Sequence, residues 1–163
     1  MAKEIEFSKL IRKHQGLLYK VASIYTNTRQ DQEDLFQEIV YQLWKYFDTF
    51  RNESKITTWM YRVGMNTAIT YLKKSKKKNL NAIPISDAIL AASEILDEVY
   101  EERLKQLYHH IQYLNSLEKG LMLLLLEGKS YKEMAEITGL SDSNIGTRIS
   151  RIKKKLKNNM TKS

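Results

Sequence analysis

Eight polar side chains, Ser143, Asn144, Thr147, Arg148, Ser150, Arg151, Lys154 and Lys155, fall outside the apolar positions of the segment that ends near Lys157. Hydroxyls, an amide, guanidinium groups and ammonium groups are what reach base edges and phosphates in duplex DNA. The apolar positions between them, Ile145, Ile149, Ile152 and Leu156, recur at helical spacing and extend a set begun by Met134, Ala135 and Ile137. Gly139 supplies a positive-φ stop after a short first helix, Leu140 plugs the angle between the helices, and Ser141 is a natural N-cap for the second. The stretch from Ser130 to Lys157 therefore reads as a helix-turn-helix with a basic second helix, which points to duplex DNA as ligand. A pair of packed surface helices with solvated lysines is the plainer alternative. The motif does not separate repressors, activators, recombinases and initiation factors.

A second set of groups suits unpaired bases. Lys55, Thr58, Trp59, Tyr61, Arg62, Asn66, Tyr71, Lys73 and Lys74 interleave cations with aromatics and an amide, and Phe50 and Asn52 stand in the loop before them. Rings stack on unpaired bases while cations follow the phosphates, and an exposed aromatic beside an amide can hold an extruded base. Against this, Trp59 and Tyr71 would also serve as ordinary core anchors. A third set is acidic. Asp34, Glu38, Tyr41 and Lys45 share one helix face behind Asp31 and Glu33. First-turn carboxylates complement the helix dipole without any function, but that explains Glu38 poorly. An acidic stripe on a basic chain reads better as a docking face for a basic partner.

The charge layout agrees. The 163 residues carry a net charge of +8. Eight cations stand against one carboxylate over residues 51–78, and seven against one over 141–163. Between them, over 79–104, six carboxylates oppose one cation. Two nucleic-acid surfaces joined by a different kind of segment need such a layout, and an even solvation shell does not. With no cysteine, disulfides and thiolate metal sites are excluded. His14, His109 and His110 lack metal-ligand spacing, and neither a phosphate-binding glycine loop nor a nucleophile elbow is present, so no metal, cofactor or enzymatic activity is expected. The longest apolar run, Leu121 to Leu126, is far short of the ~20 residues of a membrane span, and a soluble, cytoplasmic protein is expected.

The elements that must position these groups are helical throughout. Phe7, Leu10, Ile11, His14, Leu17, Leu18, Val21, Ile24 and Tyr25 form one apolar stripe, and Leu35, Phe36, Ile39, Val40, Leu43, Trp44 and Phe47 a second. A turn-prone segment, Asp48 to Glu53, leads to Ser54 as a candidate cap and to a third helix through roughly Lys74, buried through Ile56, Met60, Val63 and Thr67. The expectation is an all-α fold. A three-helix amino-terminal domain covers residues 1–75, and a linker at 76–103 holds Lys76 to Lys78, Pro84 and an acidic, partly helical end. A second domain at 104–163 carries the Leu117 to Leu126 helix and the helix-turn-helix.

The run Asp31-Gln-Glu-Asp-Leu-Phe-Gln-Glu-Ile-Val-Tyr-Gln-Leu-Trp44, followed by Ile56-Thr-Thr-Trp-Met-Tyr-Arg-Val-Gly-Met-Asn66 and the helix-turn-helix, resembles the extracytoplasmic-function (ECF) group of sigma-70 family RNA polymerase sigma factors over nearly the whole chain. The resemblance implies a promoter-melting domain (region 2), a linker and a −35-reading domain (region 4), without the extra domains of housekeeping sigma factors. By position it implies that Asp34, Gln37, Glu38 and Trp44, with Tyr41 on the same face, dock core RNA polymerase. It assigns Phe50, Asn52, Lys55, Thr58, Trp59, Arg62, Asn66 and Lys73 to the separated non-template strand at −10. Thr147, Ser150 and Arg151, flanked by Ser143, Asn144, Arg148, Lys153 and Lys154, would read the −35 duplex, with Tyr131 and Lys132 against its backbone. The linker is expected to thread a polymerase channel, with Asp97, Glu98, Glu101 and Glu102 against its walls; solvation or repulsion from DNA accounts for those acids equally. An anti-sigma factor is an expected further partner.

Two departures stand out. Leu114-Asn-Ser-Leu117 occupies the place where the family often has proline, and Gly146 falls where a larger residue is common in the recognition helix. A helix-turn-helix regulator working without polymerase is the competing reading, and it leaves Asp31 to Asn66 unexplained.

Overall fold

The computed structural model describes residues 2–75 and 98–161, in which all regular structure is helical. The amino-terminal group comprises α1 (Ala2–Lys13), α2 (Gln15–Ile24), α3 (Arg29–Tyr46), a 3-10 turn (Phe47–Thr49) and α4 (Ile56–Ser75). The stripe from Phe7 to Tyr25 thus forms two helices, and the expected three-helix group has four. His14, at φ −110 and ψ 19, marks the joint. The chain bends there without reversing, because His14 N–H donates to the Leu10 carbonyl and Leu18 N–H to that of His14. The bend lets Phe7 reach the far end of α3, where its ring meets Trp44 and Phe47 edge-on at 5.1 and 5.2 Å. Beyond it Leu18, Val21, Leu35, Ile39, Leu43 and Met60 are fully buried. The Thr28 hydroxyl caps α3 by accepting from Asp31 N–H, whereas Ser54 does not cap α4, its hydroxyl donating to the Lys55 carbonyl.

The second group is α5 (Glu98–Ile111), α6 (Ser116–Leu126), α7 (Tyr131–Thr138) and α8 (Asp142–Thr161). Lys76 to Lys78, Pro84 and Asp97 lie outside the described residues. The expected boundary near Leu104 falls inside α5. At the place before α6 where the family often has a proline, Asn115 and Glu118 form a capping box: Asn115 accepts from Glu118 N–H, and the Glu118 carboxylate accepts from Asn115 N–H. Two of the helix's four orphan donors are satisfied in this way. Ser130 and Glu133 repeat the arrangement at α7.

The two groups share one continuous core. Tyr25, 1% exposed, donates its hydroxyl to the Ser116 carbonyl at 3.0 Å. One turn on, Gly120 lies against Met65 and the Tyr25 hydroxyl so closely that a Cβ there would collide with both. Lys20 and Glu127 form an ion pair at 3.0 Å across the same seam, and α7 lies beside α4.

Replacing Asn115 with Ala removes the α6 cap, for an expected loss of about 1 kcal/mol. In thermal unfolding the midpoint should fall by about 2 to 4 °C. An unchanged midpoint would show that the cap contributes nothing to the folded state.

Candidate nucleic-acid interface

The turn before α8 forms as its residues dictate. Gly139 takes φ +83, Leu140 packs against the core, and Ser141 Oγ accepts from Asn144 N–H at 3.2 Å. Met134, Ile137, Ile145, Ile149, Ile152 and Leu156 are buried, leaving the opposite face of α8 to solvent. Ser143, Thr147, Ser150, Arg151, Lys153 and Lys154 are exposed there, and Asn144 and Arg148 half-buried. Arg148 Nε donates to Asn144 Oδ1 at 2.9 Å, which fixes the guanidinium along the helix. Lys155 is drawn aside to Glu118 at 3.5 Å. Tyr131 and Lys132 are exposed at the start of α7. A Cβ on Gly146 would meet the Tyr131 ring at 3.5 Å, an ordinary van der Waals contact, so the ring lies directly beside this position.

The loop before α4 encloses a cleft of about 410 Å³ lined by Thr49, Phe50, Arg51, Glu53, Ser54, Trp59 and Arg62. Phe50 stacks on Trp59, with ring centroids 5.0 Å apart and planes at 29°. Trp59 is only 7% exposed, so it is core anchor and cleft wall at once. Asn52, at the bend of the loop, adopts φ +58, a left-handed conformation that asparagine tolerates better than most residues. Of the remaining residues expected to meet the strand, Lys55, Asn66 and Lys73 are exposed. Thr58, at 3% exposure, lies in the core, away from any strand in this arrangement. Asn66 belongs to a separate groove of about 570 Å³ between α3 and α4, shared with Glu38, Gln42, Tyr46, Tyr71 and Lys74. Arg51 and Glu53 also line the first cleft, and the sequence carries no signal for them, because charges in a turn look like ordinary solvation.

On α3, Asp34, Gln37, Glu38 and Tyr41 are exposed together. Gln30 donates to Asp34 and Gln42 to Glu38, both at 3.1 Å, orienting the carboxylates. Trp44 is half-buried against Phe7, with the Lys3 ammonium 4.4 Å from its ring, and so braces α1 as much as it faces outward. The acidic field reaches α4: burial, then Asp31 and Asp34, push the Tyr71 hydroxyl above its ordinary range.

Helix α7 covers part of the α4 face. Arg62 donates to the Glu136 carbonyl at 2.6 Å. Tyr61 is buried with the Lys129 ammonium 5.5 Å from its ring, and its hydroxyl is pushed far up by burial and by Glu127 and Glu133. Glu133 is held below the usual carboxylate range by its bonds to Ser130 and then by Lys129 and Lys55. Two cations expected to meet the strand, Lys55 and Arg62, thus face the acidic side of α7.

A helix-turn-helix at one end, with an aromatic, cationic cleft beside an acidic helix at the other, is the build of a bipartite DNA-binding transcription protein. The family model of Sigma-70 region 2 matches residues 10–78, and that of Sigma-70, region 4, matches residues 104–156. The ECF RNA polymerase sigma-E factor of Haemophilus influenzae is 27% identical, over 93% of this chain and 86% of its own length. RNA polymerase sigma factor SigV of Bacillus subtilis is 28% identical, over 93% and 89%. The sigma factor RpoE of Bartonella quintana, solved with the anti-sigma factor NepR, has the same fold, with a TM-score of 0.73 at 17% identity over 96% of this chain and 97% of that one. The chain belongs to the ECF group of the sigma-70 family of RNA polymerase sigma factors.

Replacing Gly120 with Val should part the two groups, since the branched side chain has no room beside Met65 and Tyr25. The expected result is a larger radius of gyration in small-angle scattering with unchanged far-ultraviolet circular dichroism. Hydrogen exchange should rise along α4 and α6. An unaltered radius would mean that the seam yields locally.

Proposed function

We propose that this sigma factor initiates transcription by two-point promoter recognition, with residues 1–75 docking on core polymerase and gripping opened DNA while residues 104–163 read duplex at −35. The exposed acidic row of α3, Asp34, Gln37, Glu38 and Tyr41, supplies a face of opposite potential to a basic polymerase surface, and Trp44 closes its end. The single observation that carries the reading is the cleft at Phe50, Trp59 and Arg62 immediately after that helix, since a protein that only reads duplex has no use for it. Unstacking costs a few kcal/mol per base, and the cleft recovers it by stacking on Phe50 and hydrogen bonding from Arg62. Lys55 and Lys73 follow the phosphates, with Asn52 and Asn66 beside the strand. At −35, Thr147, Ser150 and Arg151 meet base edges, and Arg148, Lys154, Tyr131 and Lys132 hold the backbone, with Ser143 and Asn144 at the helix start.

Capture of the strand requires α7 to release Arg62, so the two groups separate on the polymerase. The action is binding throughout, with no covalent step, metal or cofactor, and it takes place in the cytoplasm. The solved RpoE is bound to an anti-sigma factor, which supports a regulator of that kind for this chain. Among the described residues no helix is long and apolar enough to cross a membrane.

Pull-down with core polymerase tests the docking face: the wild type should form a stoichiometric complex and Glu38→Lys should lose it. A stable complex that survives this reversal would move the docking site elsewhere. Arg151→Ala should cost ~1 to 3 kcal/mol on the preferred −35 sequence. A loss equal across all −35 variants would make Arg151 a phosphate contact.

A further inference from the structure

The cleft beneath Asn52 has a polar rim of mixed sign, and the sign is informative. Arg51 and Glu53 flank the left-handed Asn52, and both side chains line the cleft, with Arg62 on the α4 side and the stacked Phe50 and Trp59 as its wall. Glu53 makes no ion pair or hydrogen bond among the described residues, and neither does Arg51. A carboxylate in a groove for nucleic acid repels every phosphate that approaches it. An ionised carboxylate is also acceptor-only, so desolvating it against a ligand is recovered only where the ligand brings N–H donors.

We infer that Glu53 is a specificity residue that admits an extruded base carrying an exocyclic amine and rejects thymine. The inference rests on the reading of this cleft as the −10 strand site. An extruded base presents its Watson–Crick edge. Cytosine offers the N4 amine, adenine the N6 amine, and guanine N1–H with the N2 amine, each to a carboxylate oxygen. Each also has an acceptor beside the donor, namely N3, N1 and O6 respectively, for Arg51 or Arg62. Thymine offers a single N3–H between two carbonyl oxygens, O2 and O4, and both oxygens oppose the carboxylate. Phe50 gives every base the same stacking surface, its far side being backed by Trp59, so stacking holds the base while the rim chooses it. One well-placed pair of this kind discriminates against the wrong base by about tenfold or more.

The test uses the full-length chain assembled with core polymerase and a library of promoter fragments randomised across the −10 and −35 windows, sequenced after selection for open complexes. In the wild type, one position of the −10 window should exclude thymine by about tenfold. Glu53→Gln, whose amide both donates and accepts, should admit thymine at that position with the rest of the profile unchanged, and Glu53→Ala should lose the discrimination there. An identical profile for all three proteins overturns the assignment of Glu53, as does a wild-type preference for thymine at the affected position. A Phe50→Ala variant separates this failure from a deeper one. If it opens promoters with an unchanged −10 profile, the cleft does not hold the strand at all, and the reading on which the inference rests falls with it. Glu53 is exposed and makes no hydrogen bond or ion pair among the described residues, so the melting temperature of its variants should match the wild type.

Discussion

A buried phenol must place its hydroxyl, and in this fold the only use made of the Tyr25 hydroxyl joins the two halves of the molecule. At 1% exposure the group is cut off from water, and an unpaired hydroxyl there would carry its whole desolvation penalty. Its acceptor is the Ser116 carbonyl, in the first turn of a helix that follows 91 residues later in the chain. That turn is fixed in turn by the Asn115 and Glu118 capping box, so the acceptor sits where the cap puts it. Gly120 then allows α6 to approach Met65 without a side chain between them. From this one alignment follows the place of α7, which the two residues after Gly128 deliver onto the side of α4 that carries Arg62.

Charge bears on how this alignment gives way in the proposed function. The contacts that close the molecule outside its core are exposed: Lys20 with Glu127 at the rim, Arg62 with a backbone carbonyl, and Lys55 within the field of Glu133. Partly exposed pairs of this kind contribute little net stability, because water and salt replace them easily. In the proposed function the same cations meet a separated DNA strand, and a phosphate carries a full charge where the Glu136 carbonyl carries only a dipole. On that same proposal, the acidic α3 keeps DNA away from the side that docks on polymerase. Its field is felt as far as Tyr71 on α4.

The helix-turn-helix was legible almost residue by residue, because everything that shapes it lies within 28 residues: a glycine that needs positive φ, a serine that caps, and apolar positions at one spacing. The ECF motifs likewise led to the right family and to an all-helical fold. The division of α1 from α2 was not legible, since the apolar period and the backbone hydrogen bonds both run through His14. Nor was the burial of Thr58. Helix α4 has neighbours on two sides, α2 and α3 on one and α7 on the other, and a pattern read along one helix cannot report a partner such as Glu136, 74 residues on from Arg62. Asn115 and Glu118 do carry a readable signal, the spacing of a capping box, at the place where the family often has proline.

Gly146 shows how a residue that looks like a defect in isolation fits once its neighbour is known. A glycine inside a helix costs roughly 1 kcal/mol against alanine, and it removes a side chain from the helix that meets the major groove. The structure puts the Tyr131 ring over that position, 3.5 Å from where a Cβ would lie, and leaves the ring 41% exposed. An aromatic surface from the first helix thus lies in contact with the bare position on the second, braced by the capping box of Ser130 and Glu133 at its base. On the proposed −35 reading, the surface offered to duplex is therefore drawn from two helices rather than one, and its shape depends on the angle that Gly139 and Leu140 set between them.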